Sequence, residues 1–266
     1  MARRLLARGD EVWALRRQPP SADGDGDGDG DGIQWLRGDL TRPDTLQGLP
    51  SGITHLAYLP SPGARDPAVY QAVFRAGLPA LMGALDTAAL QRVLFVSSSA
   101  VYGEHHGGWV DETTPTNPAG FNGRILLDTE NWLAAQPVSS ASLRLAGLYG
   151  PGRLQLLERL RAGTARAPRH PPHWANRIHI DDAAAAAAHL LALPQVDDVY
   201  VGCDDTPLPL HELYAYLAHL AGAPQPPEGP APAHVGSKKL SNARLRSSGL
   251  VLQWPDARAG YAALLA

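Results

Sequence analysis

The chain holds a single cysteine, Cys203, in 266 residues. Intramolecular disulfides and multi-cysteine zinc sites are therefore excluded, and a reducing cytosol is the expected setting. Net charge is scarce as well: 23 Lys and Arg face 26 Asp and Glu, a formal −3. Such a balance gathers neither nucleic acid nor an anionic membrane. No run approaches the roughly 18 apolar residues that a spanning helix needs, and no apolar stretch marks a secretory signal. Aromatics make up only 6%, yet hydrophobic residues reach 44%, enough at this length to bury a core and to exclude a disordered chain. At about 150 residues per domain, the length fits one large α/β domain or a domain plus a smaller lobe. The 27 glycines and 24 prolines, with abundant Ala and Arg, have the look of GC-rich coding, so a lone Ala or Gly carries little weight.

The opening MARRLLARGDEVWALRR reads as a helix stopped by Gly9-Asp10 and followed by a strand, Glu11–Leu15. Its Arg-rich, acid-free start also suits a transit peptide. Asp23–Gly32 is a run of Asp-Gly repeats. Alternating carboxylates can line up calcium ligands, but no closing Glu follows, and the run reads as a repeat expansion in an exposed, unstructured loop. Beyond it, Ile33–Leu36, Thr54–Leu59 and Arg92–Ser97 are apolar runs suited to strands buried on both faces. They alternate with helices at Pro67–Leu90 and Gly123–Ala135, which implies a parallel sheet. A strand at Ser140–Leu148, a helix capped by Asp181 or Asp182, a strand at Val199–Gly202 and a helix at Leu210–Ala221 follow. A Pro-rich loop, Ala223–Ala233, leads to a short helical tail. The expected division is residues 1–150 as a dinucleotide-binding domain and 151–266 mainly as a lobe over the carboxyl ends of the strands, where an open α/β sheet places its ligand.

Candidate residues lie at those strand ends. Arg16-Arg17 closes the second strand of what looks like a dinucleotide fold; a guanidinium there can grip a 2′-phosphate, although a solvated junction explains the pair equally well. Asp39, in Gly38-Asp39-Leu40, can accept an adenine amino proton. LFVSSSAVYG (Leu94–Gly103) runs a buried strand out into three serines. Tyr149 stands in a turn of Gly147, Gly150 and Gly152, where backbone can approach a ligand. His179 and the Asp181-Asp182 pair have structural explanations too, as a packed ring and a helix start.

At LFVSSSAVYG the sequence resembles the extended short-chain dehydrogenases/reductases, the NAD-dependent epimerase/dehydratase group. RLAGLYGPGR (Arg144–Arg153) and NRIHIDDAAAA (Asn176–Ala186) resemble later family segments, and KKLSNARLRSSG (Lys238–Gly249) with WPDARAGYAALL (Trp254–Leu265) resembles its atypical YeeZ-like branch. The resemblance covers nearly the whole chain. It implies a Rossmann-type, doubly wound parallel sheet with a small C-terminal substrate lobe, binding NADP or NAD. The adenosine would meet Arg16, Arg17, Asp39 and Leu40, and the middle of the cofactor Tyr58, Leu59 and Pro60. Ser98 and Leu148 would meet the nicotinamide, and Arg124 the ribose or phosphate. A small carbonyl, alcohol or sugar-like substrate would sit near Ser99, Tyr149, Arg153 and His179. Pairing of subunits into a homodimer through the helices beside the fourth and fifth strands is also implied, although the apolar residues on Val69–Leu90 can equally face their own sheet.

Two departures matter. The family uses a Tyr as acid/base and a Lys one helical turn later, but Pro118–Leu127 contains neither. Arg124 is too strong a base to act as an acid. Ser98 and Tyr102 are then the catalytic candidates, with Tyr149 or a water as the alternative proton source; the other reading is a non-catalytic cofactor-binding sensor. The second departure is at the start, where the family's first strand and glycine-rich turn have no counterpart before the opening helix. The expectation drawn is that Met1 is a misassigned start and that roughly 15 residues, a strand and a turn, precede it; a truncated gene product is the alternative.

Overall fold

The computed structural model describes residues 1–20 and 32–265; the Asp-Gly repeat, apart from Gly32, lies outside them. In chain order the strands are β1 Val12–Arg16, β2 Ile33–Arg37, β3 His55–Tyr58, β4 Arg92–Ser98, β5 Trp109–Val110, β6 Ser139–Leu145, β7 Gly147–Tyr149, β8 Trp174–Ala175, β9 Arg177–His179, β10 Val199–Gly202, β11 Leu208–Pro209 and β12 Lys239–Leu240. The helices are α1 Ala2–Ala7, α2 Pro67–Tyr70, α3 Gly77–Ala84, α4 Phe121–Ala134, α5 Gln155–Arg161, α6 Ile180–Ala192, α7 Leu210–Leu220, α8 Ala243–Ser247 and α9 Ala257–Ala263.

Four strands form a parallel sheet in the order β10-β6-β4-β3. Successive side chains of a strand point to opposite faces, and Val93, Leu94 and Phe95 of β4 are all fully buried, so both faces of the sheet are covered. Helices α4 and α6 pack on β4 and β6 to do so. The sheet is the parallel α/β arrangement that the alternation of apolar runs implies, and of the Rossmann type that the family resemblance implies. β1 and β2 form a separate parallel pair. Among the described residues no ladder joins β1 to β3; α1 packs on β1, β2 and α6, and Leu46, fully buried beyond β2, anchors that side in the main core.

A second core gathers Tyr149, Leu157, Leu160, Leu210, Leu213, Tyr214, Leu217 and Tyr261 from β7, α5, α7 and α9. Helices α5, α7 and α9 thus pack on one another at the end of the sheet where β6 runs out.

Three local expectations are corrected. The helix expected over Pro67–Leu90 is α2 and α3 joined by a π-helical turn, Gln71–Ala76, and it ends at Ala84. The Tyr58 hydroxyl donates to the Val73 carbonyl inside that turn, taking an acceptor out of the regular ladder. The strand expected over Ser140–Leu148 breaks at Ala146, whose N–H turns to the Gly202 carbonyl while Gly147 changes partner to β9. The cap of α6 is His179, whose Nδ1 accepts from Asp181 N–H at 3.2 Å, rather than Asp181 or Asp182.

Candidate functional site

The serines gather at the carboxyl end of β4. Ser98 stands opposite Leu145, so β4 and β6 run out together. Ser98 Oγ accepts from Ala100 N–H at 3.2 Å and caps a 3-10 turn, Ser99–Val101. That geometry leaves the hydroxyl proton free to be donated outward. Ser98 and Ser99 are both half-buried. The first turn of α4 closes on this loop: a Cβ on Gly123 would stand 2.5 Å from the Ala100 carbonyl oxygen, so only glycine admits the helix so near. Arg124, next on α4, is exposed and donates to the Ala119 carbonyl at 3.3 Å. Leu148 is half-buried on β7, three residues past the end of β6.

The phenols are elsewhere. Tyr102 is fully buried, its ring lies 4.8 Å from the Arg144 guanidinium, and its hydroxyl has no hydrogen-bond partner. Burial pushes its pKa up to about 12, against the pull of Arg144. The expected pairing of Ser98 with Tyr102 is therefore not what the fold builds, because the turn after Ser99 carries the phenol inward. Tyr149 is 1% exposed and stacks on Tyr261, with centroids 4.2 Å apart. Its hydroxyl also lacks a partner and faces Gly260, where a Cβ would come within 2.1 Å of it; burial drives its pKa far up. His179 meets Tyr149 edge-on at 5.1 Å and is itself buried, which lowers its pKa. With Nδ1 accepting from Asp181 N–H, the neutral ring carries its proton on Nε2. Tyr149 and His179 are thus brought together, but inside the second core rather than on an open wall. Arg153 is exposed, its N–H on the Gly150 carbonyl.

At the other end of the strand row, Arg16 and Arg17 are exposed where β1 stops, and Arg16 lies over the Trp35 ring at 5.4 Å. Asp39 Oδ1 accepts from Thr41 N–H at 2.9 Å and from its hydroxyl at 2.8 Å, bonds that hold the carboxyl below its usual pKa. Leu40 and Tyr58 meet at Gly77, where a Cβ would lie 3.2 Å from the Leu40 carbonyl oxygen and 2.7 Å from the Tyr58 hydroxyl. With its side chain buried, Tyr58 offers only backbone to the strand ends. Leu59 beyond it is 47% exposed, and Pro60 half-buried.

Four buried ionisable groups carry no clear mark in the sequence pattern: Glu130, Arg144, Asp204 and Lys238. Glu130 and Arg144 form an ion pair of 2.6 Å beneath the serine loop, with Ser97 Oγ donating to Glu130 Oε1 at 2.5 Å. An Arg within a strand buried on both faces was the available signal, since such a charge requires an acid. Asp204 accepts from Ala257 N–H at 3.1 Å, and burial pushes its pKa up to about 8. Lys238 is 4% exposed; nothing in its sequence context marks it as buried. Among the described residues no cluster of His, Cys, Asp and Glu is arranged for a metal, and no helix is long and apolar enough to cross a membrane.

Comparison with known proteins agrees with this arrangement of strand ends. The profile of the NAD-dependent epimerase/dehydratase family matches residues 1–202. Protein YeeZ of Escherichia coli K12 is 34% identical over 173 residues, 63% of this chain and 60% of YeeZ, so the match spans about three-fifths of that curated relative. A structure from Methylobacillus flagellatus, assigned to the NAD-dependent epimerases/dehydratases, is 39% identical and superposes with a TM-score of 0.78 over 99% of this chain and 92% of that one. The UDP-glucose 4-epimerase of Thermus thermophilus, solved with NAD, shares the fold at 20% identity, with a TM-score of 0.79 over 98% of this chain and 92% of that one. The chain belongs to the NAD-dependent epimerase/dehydratase family.

Proposed function

We propose that this chain is an NAD(P)-dependent oxidoreductase or epimerase that acts on a small carbonyl, alcohol or sugar-like substrate. The observation carrying this reading is Ser98: a half-buried hydroxyl at the end of a central parallel strand, its oxygen engaged by Ala100 N–H and its proton left to donate. The relatives support the substrate class only by analogy, since the Thermus structure holds NAD and its namesake substrate is a UDP-sugar.

Residues at the adenosine end suit the cofactor. Arg16 and Arg17 are exposed cations placed for a 2′-phosphate and favour NADP, and Asp39 and Leu40 lie beyond the neighbouring strand. No glycine-rich strand-to-helix turn of the kind that receives a pyrophosphate stands among the described residues. When bound, a nicotinamide would supply or take the hydride.

Ser98 donates to the substrate oxygen and stabilises negative charge as it develops there. Leu148, from β7, and the first turn of α4 narrow the approach. With Tyr102 and Tyr149 both buried, the proton reaches the substrate oxygen from a water. That burial also favours a second reading, a cofactor-binding sensor that performs no turnover.

The test is titration with NADPH and NADH by fluorescence, then assay of hydride exchange over a panel of small carbonyls and nucleotide sugars. Micromolar binding with turnover that falls about 10²–10³-fold in Ser98→Ala supports the enzyme. Binding without turnover supports the sensor. No binding of either nucleotide refutes both.

A further inference from the structure

The C-terminal part of the chain comes back to the serine loop at residues 236–240 and is fixed there from several sides. β12 pairs in parallel with β5. The Ser237 carbonyl accepts from His105 N–H at 3.2 Å and from Gly107 N–H at 3.0 Å, while Ser237 N–H donates to Glu104 Oε2 at 3.0 Å. Asn176 bridges both ends of the segment, donating to the Lys238 carbonyl at 2.9 Å and accepting from Leu240 N–H at 2.8 Å. In the middle, the buried Lys238 ammonium donates to the carbonyls of Gly103 and Gly236, each at 3.2 Å.

Two close backbone approaches make this seat specific. A Cβ on Gly236 would lie 1.9 Å from the Gly103 carbonyl oxygen, and a Cβ on Gly103, which has φ of +71°, would lie 1.9 Å from that of Asn117. Gly103 ends the turn that Ser98 begins. A lysine held by two neutral carbonyls and no carboxylate is an expensive way to fill space, and an apolar side chain would seal the same slot at less cost. What the Lys238 nitrogen adds, charged or neutral, is a donor directed at the Gly103 carbonyl.

We propose that Lys238 is a positioning residue: it ties the Ser98–Gly103 turn to the segment 236–240, so that the Ser98 hydroxyl is held in place only while that segment is seated. The proposal rests on the reading of Ser98 given above.

The linkage to pH has a definite sign. Burial pushes the Lys238 pKa down to about 8, with the charge of Glu104 only partly opposing it. The titratable groups facing it are Glu104, from the loop after Gly103, and His173, whose own pKa is lowered by burial and then by Lys238. Released into water, a lysine titrates near 10.4. Unseating therefore takes up a proton and becomes about tenfold rarer between pH 7 and pH 9. A lysine paired with a carboxylate would behave in the opposite way, loosening as pH rises.

The experiment is amide hydrogen exchange by mass spectrometry on the full chain, following peptides that cover residues 98–110 and 234–241 at pH 7 and pH 9, with rates corrected for the intrinsic base-catalysed exchange. Wild type is compared with Lys238→Met and Lys238→Arg, and NADH binding is measured alongside. Both peptides of the wild type are expected to become about tenfold better protected at pH 9. The Met variant should lose that dependence, and the Arg variant should stay open at both pH values. Equal or weaker protection of the wild type at pH 9, or a change confined to 234–241 while 98–110 is unmoved, overturns the proposal. If NADH fails to bind while the two peptides remain coupled, the cofactor reading fails and the role of Lys238 in holding the turn stands; the reverse pattern sinks Lys238 alone.

Discussion

Replacing Glu130 with Gln tests whether the ion pair beneath the serine loop holds the fold together. The side chains of Glu130 and Arg144 are 5% and 6% exposed. Arg144 Nε reaches both carboxylate oxygens at 3.2 and 3.1 Å, and Nη2 reaches Oε2 at 2.6 Å. A glutamine keeps one acceptor but turns an N–H₂ group toward a guanidinium that water cannot reach. Removing one partner of such a pair typically costs about 3–5 kcal/mol, a large share of the roughly 5–15 kcal/mol that holds a domain folded. At a few degrees per kcal/mol for a chain of this size, the midpoint of thermal unfolding should fall by roughly 10 °C. The double variant Glu130→Met/Arg144→Met leaves no charge at this site, and should lie within about 2 kcal/mol of wild type despite carrying both changes. Urea unfolding of wild type, Glu130→Met, Arg144→Met and the double variant gives the coupling energy directly. A loss below about 1 kcal/mol in Glu130→Gln, or losses in the single variants that simply add in the double, would refute the reasoning.

Other expectations follow from groups described above. Tyr102→Phe removes a buried hydroxyl with no partner, so stability measured by urea should hold or rise by about 1 kcal/mol, and any turnover should persist; a large loss of turnover would return Tyr102 to the chemistry. Because burial pushes the folded pKa of Asp204 up to about 8, while an unfolded aspartate titrates near 3.9, its contribution to stability is fully present below about pH 4 and is lost as pH rises through 8. Asp204→Asn should flatten that fall in thermal scans, and parallel curves for the two proteins would count against it. Gly83→Ala, on an exposed turn of α3 with open space around the new methyl, should stabilise by about 0.4–1 kcal/mol. Gly236→Ala should destabilise by roughly 1–3 kcal/mol through its clash with Gly103, as judged by the same denaturation assay.

The strands were legible because a parallel sheet covered on both faces writes itself as an uninterrupted apolar run, as Val93–Val96 does. The serine-rich exit of β4 was legible for a related reason: hydroxyls following such a run stand at a strand end. What could not be read was direction. Whether Tyr102 turns toward a crevice or toward Arg144 depends on one turn of 3-10 helix, and nothing local to Val101-Tyr102-Gly103 encodes it. Tyr149, expected within a glycine turn, ends strand β7 just before the Gly150–Arg153 turn, and its cover, Tyr261, lies far downstream. The break in the helix after Tyr70 depends on the Tyr58 hydroxyl, another distant group. Lys238 lies in a family-like segment with no local sign of burial, and its partner carbonyls at Gly103 and Gly236 are invisible to pattern.

Asp182 shows what such distant partners mean for how the molecule is made. It looks like a helix cap, yet its carboxylate, 2% exposed, accepts from Gln253 N–H at 2.8 Å and Trp254 N–H at 2.9 Å. During synthesis from the N-terminus, α6 can form long before those amides leave the ribosome. Until they arrive, the start of α6 carries a carboxylate with nowhere to bury itself, so it must stay hydrated and the strand ends near it must stay wet. The start of α6 thus dries late, since its burial is completed by amides 71 and 72 residues downstream of Asp182.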